Sequence, residues 1–314
     1  MHLGKEIALF FGKYGIIGII GIIISSIFMG SIIYMVLNLA KKEKIEQYKD
    51  LSKYLYKKSM IREIIQTIMN IFLLISFYVM IAGFSAYFWQ ELGIPTIIGS
   101  IIIATLSYIT FIGNIDRLIK VNTFLIPILI ISVLFLSIQS TNKLEVNIMP
   151  VIQQSSTSWI TSAILYGSYN SIILIPILLS IQKKLTQKKQ IKIVAITCTI
   201  ILILLAICIL ALIWKIDINI NNIELPTVYI ASKMGKIYQY MYGFIILVSI
   251  YTSAVSAGYG ILENQVRQRK KIQNLSNSNV HKFNNNCTDW IFQINKPIVS
   301  YLWRIRNNTN INII

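Results

Sequence analysis

Polar side chains at the centre of a long apolar stretch are the first candidates for a functional site. The stretch 158–181 is long enough to cross a bilayer, whose hydrocarbon core of ~30 Å needs ~20 helical residues. Five residues interrupt its midpoint: Tyr166, Gly167, Ser168, Tyr169 and Asn170. Unpaired backbone groups are costly in lipid, so these residues predict a broken helix that faces a solute, as in transporters. A continuous helix, in which Ser168 and Asn170 hydrogen-bond to neighbouring helices, explains the same pattern.

Three hydroxyl side chains form a second constellation in the apolar stretch 238–262. Ser249, Thr252 and Ser253 are spaced i, i+3 and i+4, which places them on one face of a helix, and Ser256 follows one turn later. Oxygen atoms are the ligands that hard cations prefer, so this face is a candidate ion site. The alternative is that each hydroxyl satisfies a carbonyl of its own helix or packs between helices.

Residues suited to catalysis or to a tightly bound metal are scarce. His2 and His281 lie near the two ends, and Cys198, Cys208 and Cys287 form no Cys/His ligand pattern. The carboxylates considered as proton carriers all lie at the ends of apolar stretches, where solvation explains them: Glu63, Glu91, Asp116 and Glu263. We therefore expect a protein that is not an enzyme and has no cofactor, with Na⁺ or H⁺ as the only inorganic ligand.

The composition is that of a polytopic membrane protein with an all-α fold. Hydrophobic residues make up 55% of the 314 residues, charged residues only 13%, and the mean hydropathy is +0.65. The formal net charge of +17 comes from basic residues that cluster between the apolar stretches. This clustering indicates orientation in a membrane and not the basic, aromatic surface of a nucleic-acid-binding module. The expected partners are the lipid bilayer and a small solute, and not nucleic acid.

Seven apolar spans make up a predicted transmembrane domain over residues 1–265, followed by a polar, basic tail over 266–314. The spans are 15–40, 64–88, 96–112, 121–138, 158–181, 193–214 and 238–262. Lys and Arg alternate between the connecting loops: eight in 41–62, two in 114–120 and five in 182–192, against none in 89–95, one in 139–157 and three in 215–236. The first three loops and the C-terminus are therefore predicted to be cytoplasmic, in a multi-pass protein of the inner (cytoplasmic) cell membrane.

Several short motifs, taken in order, resemble the YkvI family of bacterial membrane proteins. The motifs are Gly4-Lys5-Glu6-Ile7, Phe10-Phe11, Tyr14-Gly15, Ile81-Ala82-Gly83, Tyr166–Asn170, Thr252-Ser253-Ala254 and Gly258-Tyr259-Gly260, and the match covers most of residues 4–265. That family is similar to the amino acid, polyamine and organocation transporters. Its members carry a glycine-rich GAGFASG-type segment before the first motif, of which only Gly4 is present here.

The resemblance implies a LeuT-type fold of two inverted five-helix repeats, with breaks in the first and sixth helices. Residues 4–12 would form the outer half of the first helix, and the seven spans would be helices two to eight. The segment 166–170 then falls in the sixth helix, and Ser249, Thr252 and Ser253 become candidate Na⁺ ligands on the eighth. The implied function is ion-coupled secondary transport of a small, amino-acid-like solute. A non-transporting receptor of the same fold and a non-functional fragment are the alternatives.

Both ends of the chain depart from the family pattern. The resemblance predicts that the first half-helix and helices nine and ten are lacking. In the tail, every Asn codon read one nucleotide later encodes Ile, Thr or Met, and both Trp codons become Gly. With A/T-rich codon choices, residues 276–303 can be read in that frame without a stop as an apolar run. We therefore expect a frameshift near residues 270–275, which the nucleotide sequence would test.

Overall fold

The computed structural model describes residues 3–45, 47–111, 115–143, 158–185, 187–215 and 225–273. The chain divides into two units, Met1–Asn264 and Gln265–Ile314, and every contact discussed below lies within the first. The expected frameshift and the tail beyond residue 273 fall outside the described residues, as does most of the loop 139–157.

The described segments contain α-helices and two 3₁₀ turns, and no strand. The helices are α1 (Leu3–Phe10), α2 (Ile16–Lys42), α3 (Tyr48–Leu55), α4 (Ser59–Leu92), α5 (Thr96–Phe111), α6 (Ile115–Lys143), α7 (Ser158–Ile181), α8 (Lys188–Ile213), α9 (Pro226–Met234) and α10 (Lys236–Gln273). The 3₁₀ turns are Gly12–Tyr14 and Gln182–Lys184. The predicted all-α class is confirmed for these residues.

Each of the seven predicted spans is a helix. Among the described residues, six helices are long and apolar enough to cross a membrane, namely α2, α4, α6, α7, α8 and α10. The seventh, α5, is apolar but has only 16 residues. The prediction of a polytopic membrane protein is therefore confirmed at this level. Several helices continue past the predicted ends, because polar residues such as Arg62 and Gln90 extend a helix as readily as apolar ones do.

Helix α2 packs against α7 and α8 through small residues. A Cβ atom added to Gly30 would overlap the Thr199 hydroxyl of α8. One added to Gly167 of α7 would lie 2.8 Å from the Phe28 ring of α2. Gly30 and Gly167 thus allow α2 to approach α7 and α8 closely, and the small residues Ser25, Ser26 and Gly30 of α2 are buried.

Two short helices occupy stretches that the sequence pattern assigned to loops. Helix α3 packs against α4, and the Gln66 amide donates a hydrogen bond of 2.6 Å to the hydroxyl of the buried Ser52. Helix α9 begins with Pro226, and its Val228, Ile230 and Ala231 are fully buried. Proline suits the first turn of a helix because its missing N–H would have no partner there.

Candidate functional site

A sharp turn separates α1 from α2 and folds the short helix back onto the bundle. The chain leaves α1 at Phe11, passes through the 3₁₀ turn and reaches Gly15, whose φ of 56° favours glycine. A Cβ atom on Gly18 would overlap the carbonyl oxygen of Phe11, so the two helices meet backbone to backbone. The Tyr14 hydroxyl lies 3.2 Å from Ser158 Oγ and 3.1 Å from Ser162 Oγ, which fixes the turn against the start of α7.

Helix α7 is continuous, so the break predicted at Tyr166–Asn170 is wrong for this structure. Asn170 Nδ2 donates to the Tyr166 carbonyl at 2.9 Å, and Ser171 Oγ donates to the Gly167 carbonyl at 2.7 Å. Both side chains hydrogen-bond to carbonyl groups of their own helix. The segment therefore lacks the free backbone groups with which a broken helix would bind a solute. Gly167 serves the close packing of α2 and α7, and Ser168 is half-buried.

Aromatic rings from α1 and α7 form a cluster beside this segment. The Phe10 ring centroid lies 5.5 Å from that of Tyr166 and 5.8 Å from that of Tyr169. Tyr166 and Tyr169 are 5.6 Å apart and nearly perpendicular, and Phe11 lies 5.1 Å from Tyr166. Such edge-to-face pairs stabilise a contact by ~0.5–1.5 kcal/mol beyond the burial of area. Two of the five residues predicted for solute binding, Tyr166 and Tyr169, thus face α1.

A carboxylate that the sequence reasoning missed lies in the same place. The Tyr169 hydroxyl donates a hydrogen bond of 2.5 Å to Glu6 Oε2 of α1, and Glu6 is half-buried. Tyr169 is near the middle of α7, which spans about 36 Å at 1.5 Å per residue over 24 residues. The Glu6 carboxylate therefore lies at mid-span height. Two signals in the sequence pointed to it: Glu6 and Phe10 share a helical face, and the next acidic residue is Glu43.

The hydroxyls of α10 donate hydrogen bonds to carbonyl groups of their own helix, which is the alternative to an ion site. Thr252 Oγ1 donates to the Ser249 carbonyl at 3.0 Å, and Ser256 Oγ donates to the Thr252 carbonyl at 2.8 Å. Ser249 and Thr252 are buried, whereas Ser253 is half-buried. A hydroxyl that donates to its own helix still has lone pairs with which it can bind a cation, so these contacts leave the ion site untested.

Ser249 lines a cavity that also reaches α1 and α9. Its volume is about 40 Å³, room for roughly three water molecules at ~10–15 Å³ each. Gly4, Thr227, Tyr242 and Ser249 contribute to a lining that is otherwise mostly aliphatic. A Cβ atom on Gly4 would lie 2.6 Å from the Thr227 methyl group, so glycine permits α1 to begin directly against α9. Thr252 and Ser253 do not line the cavity.

Helix α1 connects the two candidate sites. Its Glu6 and Phe10 contact Tyr166 and Tyr169 of α7, while its Gly4 lines the cavity with Ser249 of α10. The structure thus brings two of the five predicted solute-binding residues against α1, and one of the three predicted ion ligands into a cavity beside it. Across the described segments, no three His, Cys, Asp or Glu side chains are grouped closely enough to hold a metal ion.

No protein-family model and no solved structure matches this chain. It is 28% identical over 266 residues to the uncharacterized membrane protein YkvI of Bacillus subtilis (strain 168), a match that covers 84% of this chain and 76% of that protein. The identity and the coverage of both chains support the membership of the YkvI family that the motifs predicted.

Proposed function

We propose that the protein is a secondary transporter that binds a small solute between α1 and the middle of α7. The hydrogen bond between Glu6 and Tyr169 carries this proposal, because it holds a carboxylate at mid-span height. Ionisable groups at this depth are expensive, and they mark solute or ion pathways far more often than they serve packing alone. Binding of a solute or a coupling ion would account for a carboxylate at this depth, where an apolar side chain would pack at lower cost.

The arrangement of helices supports a LeuT-type fold as part of this proposal. In that fold α1 and α7 correspond to the first and sixth helices, and α10 corresponds to the eighth. Helix α1 contacts α7 through its rings and shares a cavity with α10, as an element between a solute site and an ion site must do. Because α7 is continuous, its side chains and those of α1, and not free backbone groups, would hold the solute.

Coupling to a gradient of Na⁺ or H⁺ completes the proposal. Ser249 and Thr227 place hydroxyl oxygens at the cavity beside α1, and oxygen is the donor that Na⁺ requires. Glu6 offers the carboxylate that a proton-coupled mechanism needs, a group that the sequence reasoning had not found. The protein would act in the cell membrane with the loops 41–62, 114–120 and 182–192 in the cytoplasm.

Flux measurements on the full chain in proteoliposomes test the proposal. Labelled amino acids, amines and nucleosides are offered under an imposed pH gradient and, separately, under an imposed Na⁺ gradient. We expect concentrative uptake of at least one solute that stops when an ionophore collapses the effective gradient. Saturable binding without flux would instead assign the protein to the receptor class, and the absence of both would refute the α1–α7 site.

A further inference from the structure

Helix α3 is anchored to three longer helices by one of its faces. Its Tyr48, Leu51 and Ser52 are buried, and the Gln66 amide of α4 donates a hydrogen bond to the Ser52 hydroxyl. Tyr48 and Leu51 belong to an apolar cluster with one residue each from α2, α4 and α7, namely Ala40, Met69 and Leu179. Helix α3 is therefore a fixed part of the bundle, and it gives the residues that follow it a defined position.

The ten residues 53–62, which we call the α3–α4 corner, expose large apolar side chains. The corner contains the end of α3, a link of three residues and the start of α4. Half of its residues are large, apolar or aromatic, and exposed, namely Tyr54, Leu55, Tyr56, Met60 and Ile61. The exposed fraction of Met60 reaches 73%. A cluster of exposed apolar side chains marks contact with a partner or a membrane.

The length of α4 places this corner at the surface of the bilayer. Helix α4 has 34 residues and is about 51 Å long at 1.5 Å per residue. A bilayer with its headgroups is ~40–45 Å thick, and transmembrane helices tilt by ~20° on average. A helix of this length that is centred in the membrane therefore ends at the level of the headgroups. Tyrosine rings such as those of Tyr54 and Tyr56 favour that level.

The same corner carries four basic residues and no acidic one. Lys53 forms an ion pair of 2.8 Å with Asp50. Lys57, Lys58 and Arg62 form no ion pair with any residue that the structure describes. Lipid phosphates are the anions at headgroup level, and each basic side chain near an anionic membrane surface raises the affinity about fivefold. The charge of the corner thus complements an anionic lipid, while its apolar side chains complement the acyl chains.

We propose that the α3–α4 corner is a docking surface for anionic phospholipid of the adjacent leaflet. Lys57 and Lys58 contact the lipid phosphates, while Leu55 and Met60 insert at the boundary with the acyl chains. The loop 41–62 is predicted to be cytoplasmic, and the cytoplasmic leaflet carries a negative surface potential. Because α3 packs with residues of α2, α4 and α7, a lipid bound here should stabilise the contacts of all three helices. This inference does not depend on solute transport.

The lipid selectivity of the purified full chain tests the inference. Native mass spectrometry measures the binding of phosphatidylglycerol, which is anionic, and of phosphatidylcholine with the same acyl chains, which has no net charge. We expect phosphatidylglycerol to bind at least about fivefold more tightly and to raise the melting temperature further. Lys57→Gln combined with Lys58→Gln should weaken binding of phosphatidylglycerol about tenfold or more and leave that of phosphatidylcholine unchanged. Both positions are exposed, so this variant should fold normally without added lipid.

A matched pair of lysines controls for a general attraction between positive charge and anionic lipid. Lys188 and Lys189 are adjacent, exposed and at the start of α8, in a loop predicted to lie on the same side of the membrane. Lys188→Gln combined with Lys189→Gln makes the same change of charge and should weaken binding of phosphatidylglycerol less than about threefold. Equal losses from the two lysine pairs, or equal affinities of the two lipids for the unaltered protein, would overturn the inference.

A second variant tests the apolar part of the surface. Leu55→Ser combined with Met60→Ser keeps every charge and removes two exposed apolar side chains. It should weaken binding of both lipids, because the acyl chains are the same in each. Unchanged binding of both lipids would contradict the proposed insertion and overturn the docking surface.

Two further outcomes would assign the corner to another occupant. If inorganic phosphate displaces phosphatidylglycerol at equal concentration, the corner binds free anions and the lipid proposal is wrong. If the spectra show a dimer that excludes phosphatidylglycerol and that Lys57→Gln with Lys58→Gln disrupts, the occupant is a second copy of this chain. Binding of phosphatidylglycerol to the monomer, without competition by phosphate, is the result that we expect.

Discussion

The hydroxyl of Tyr169 and the carboxylate of Glu6 are joined by a hydrogen bond of 2.5 Å across 163 residues of sequence. The bond fastens the short helix α1 to the midpoint of a membrane-length helix, and the Phe10 ring packs against Tyr166 and Tyr169 beside it. It is both a structural link and the polar centre of the candidate solute site. Stability measurements without solute report only on the structural link, so they separate it from any role in solute binding.

Removal of the Tyr169 hydroxyl should destabilise the protein. Tyr169→Phe leaves Glu6 Oε2 without its donor. Because Glu6 is half-buried, the loss should lie at the low end of the ~1–3 kcal/mol that an unsatisfied buried acceptor costs. The free energy of unfolding is measured for the solubilised protein, with Tyr34→Phe as the matched control because Tyr34 is 43% exposed on α2. Glu6→Gln combined with Tyr169→Phe should show a coupling energy of about 0.5–3 kcal/mol. Purely additive effects would contradict the bond.

The turn between α1 and α2 should tolerate substitution at one glycine and not at another. Gly18→Ala places a Cβ atom onto the Phe11 carbonyl oxygen, which belongs to the backbone and cannot rotate away. We expect a loss of about 1–3 kcal/mol of stability from this overpacking. Gly12→Ala is the control, because its Cβ would lie 3.8 Å from the Ala8 methyl group in ordinary contact. Equal melting temperatures for the two variants would show that the turn is looser than described.

Gly167→Leu should act through packing and not only through solute binding. If residues 166–170 bind a solute, this change should abolish binding while the protein still inserts. In the structure a Cβ atom at Gly167 already lies 2.8 Å from the Phe28 ring, so leucine should push α2 away from α7. We expect a lower melting temperature in the absence of solute. A fully stable variant that has lost binding would restore the original interpretation.

The cavity beside α10 predicts which serine affects a sodium response. Ser249 lines the cavity, whereas Ser256 hydrogen-bonds to the Thr252 carbonyl one turn away. We expect Na⁺ to raise the melting temperature of the unaltered protein, with K⁺ at equal ionic strength as the reference. Ser249→Ala should reduce this shift and Ser256→Ala should not, because only the first removes an oxygen from the cavity wall. A shift that survives Ser249→Ala would place any Na⁺ elsewhere.

The charge pattern of the loops predicts the orientation of the bundle. In a variant without native cysteines, Lys57→Cys should be protected from a membrane-impermeant maleimide in intact cells, and Gln90→Cys should react. Lys57 lies two residues before α4 and Gln90 lies in its last turn, and both are exposed, so their accessibility should differ only through sidedness. Reaction at residue 57 with protection at residue 90 would invert the predicted topology.

Hydropathy located the six membrane-length helices and the shorter α5, because a long apolar run has few other structural solutions. It could not locate α3 or α9, since eight or nine amphipathic residues between charged ones resemble a polar loop. The helix ends were also missed, because a helix continues through polar residues until capping or packing stops it. Gly93, for example, ends α4 with a φ of 65°.

The candidate site was predictable in part. The sequence singled out the polar centre of α7 but misjudged its effect on the backbone, because Asn170 and Ser171 bond within the helix and Gly167 accommodates Phe28. Glu6 was overlooked because its helix is too short to register as a span. Only the turn at Gly15 places that helix against α7, and such a turn depends on packing that no pattern of residue types reveals.

The contacts of α1 reach across most of the sequence. The helices that it packs against, α7, α8 and α9, are synthesised more than 140 residues later. Until they emerge, Glu6 has no Tyr169 to bind and the Gly18 contact lacks the support of α7 and α8. Assembly of the candidate site is therefore ordered in time, because the contacts of α1 can form only after α7, α8 and α9 have been synthesised.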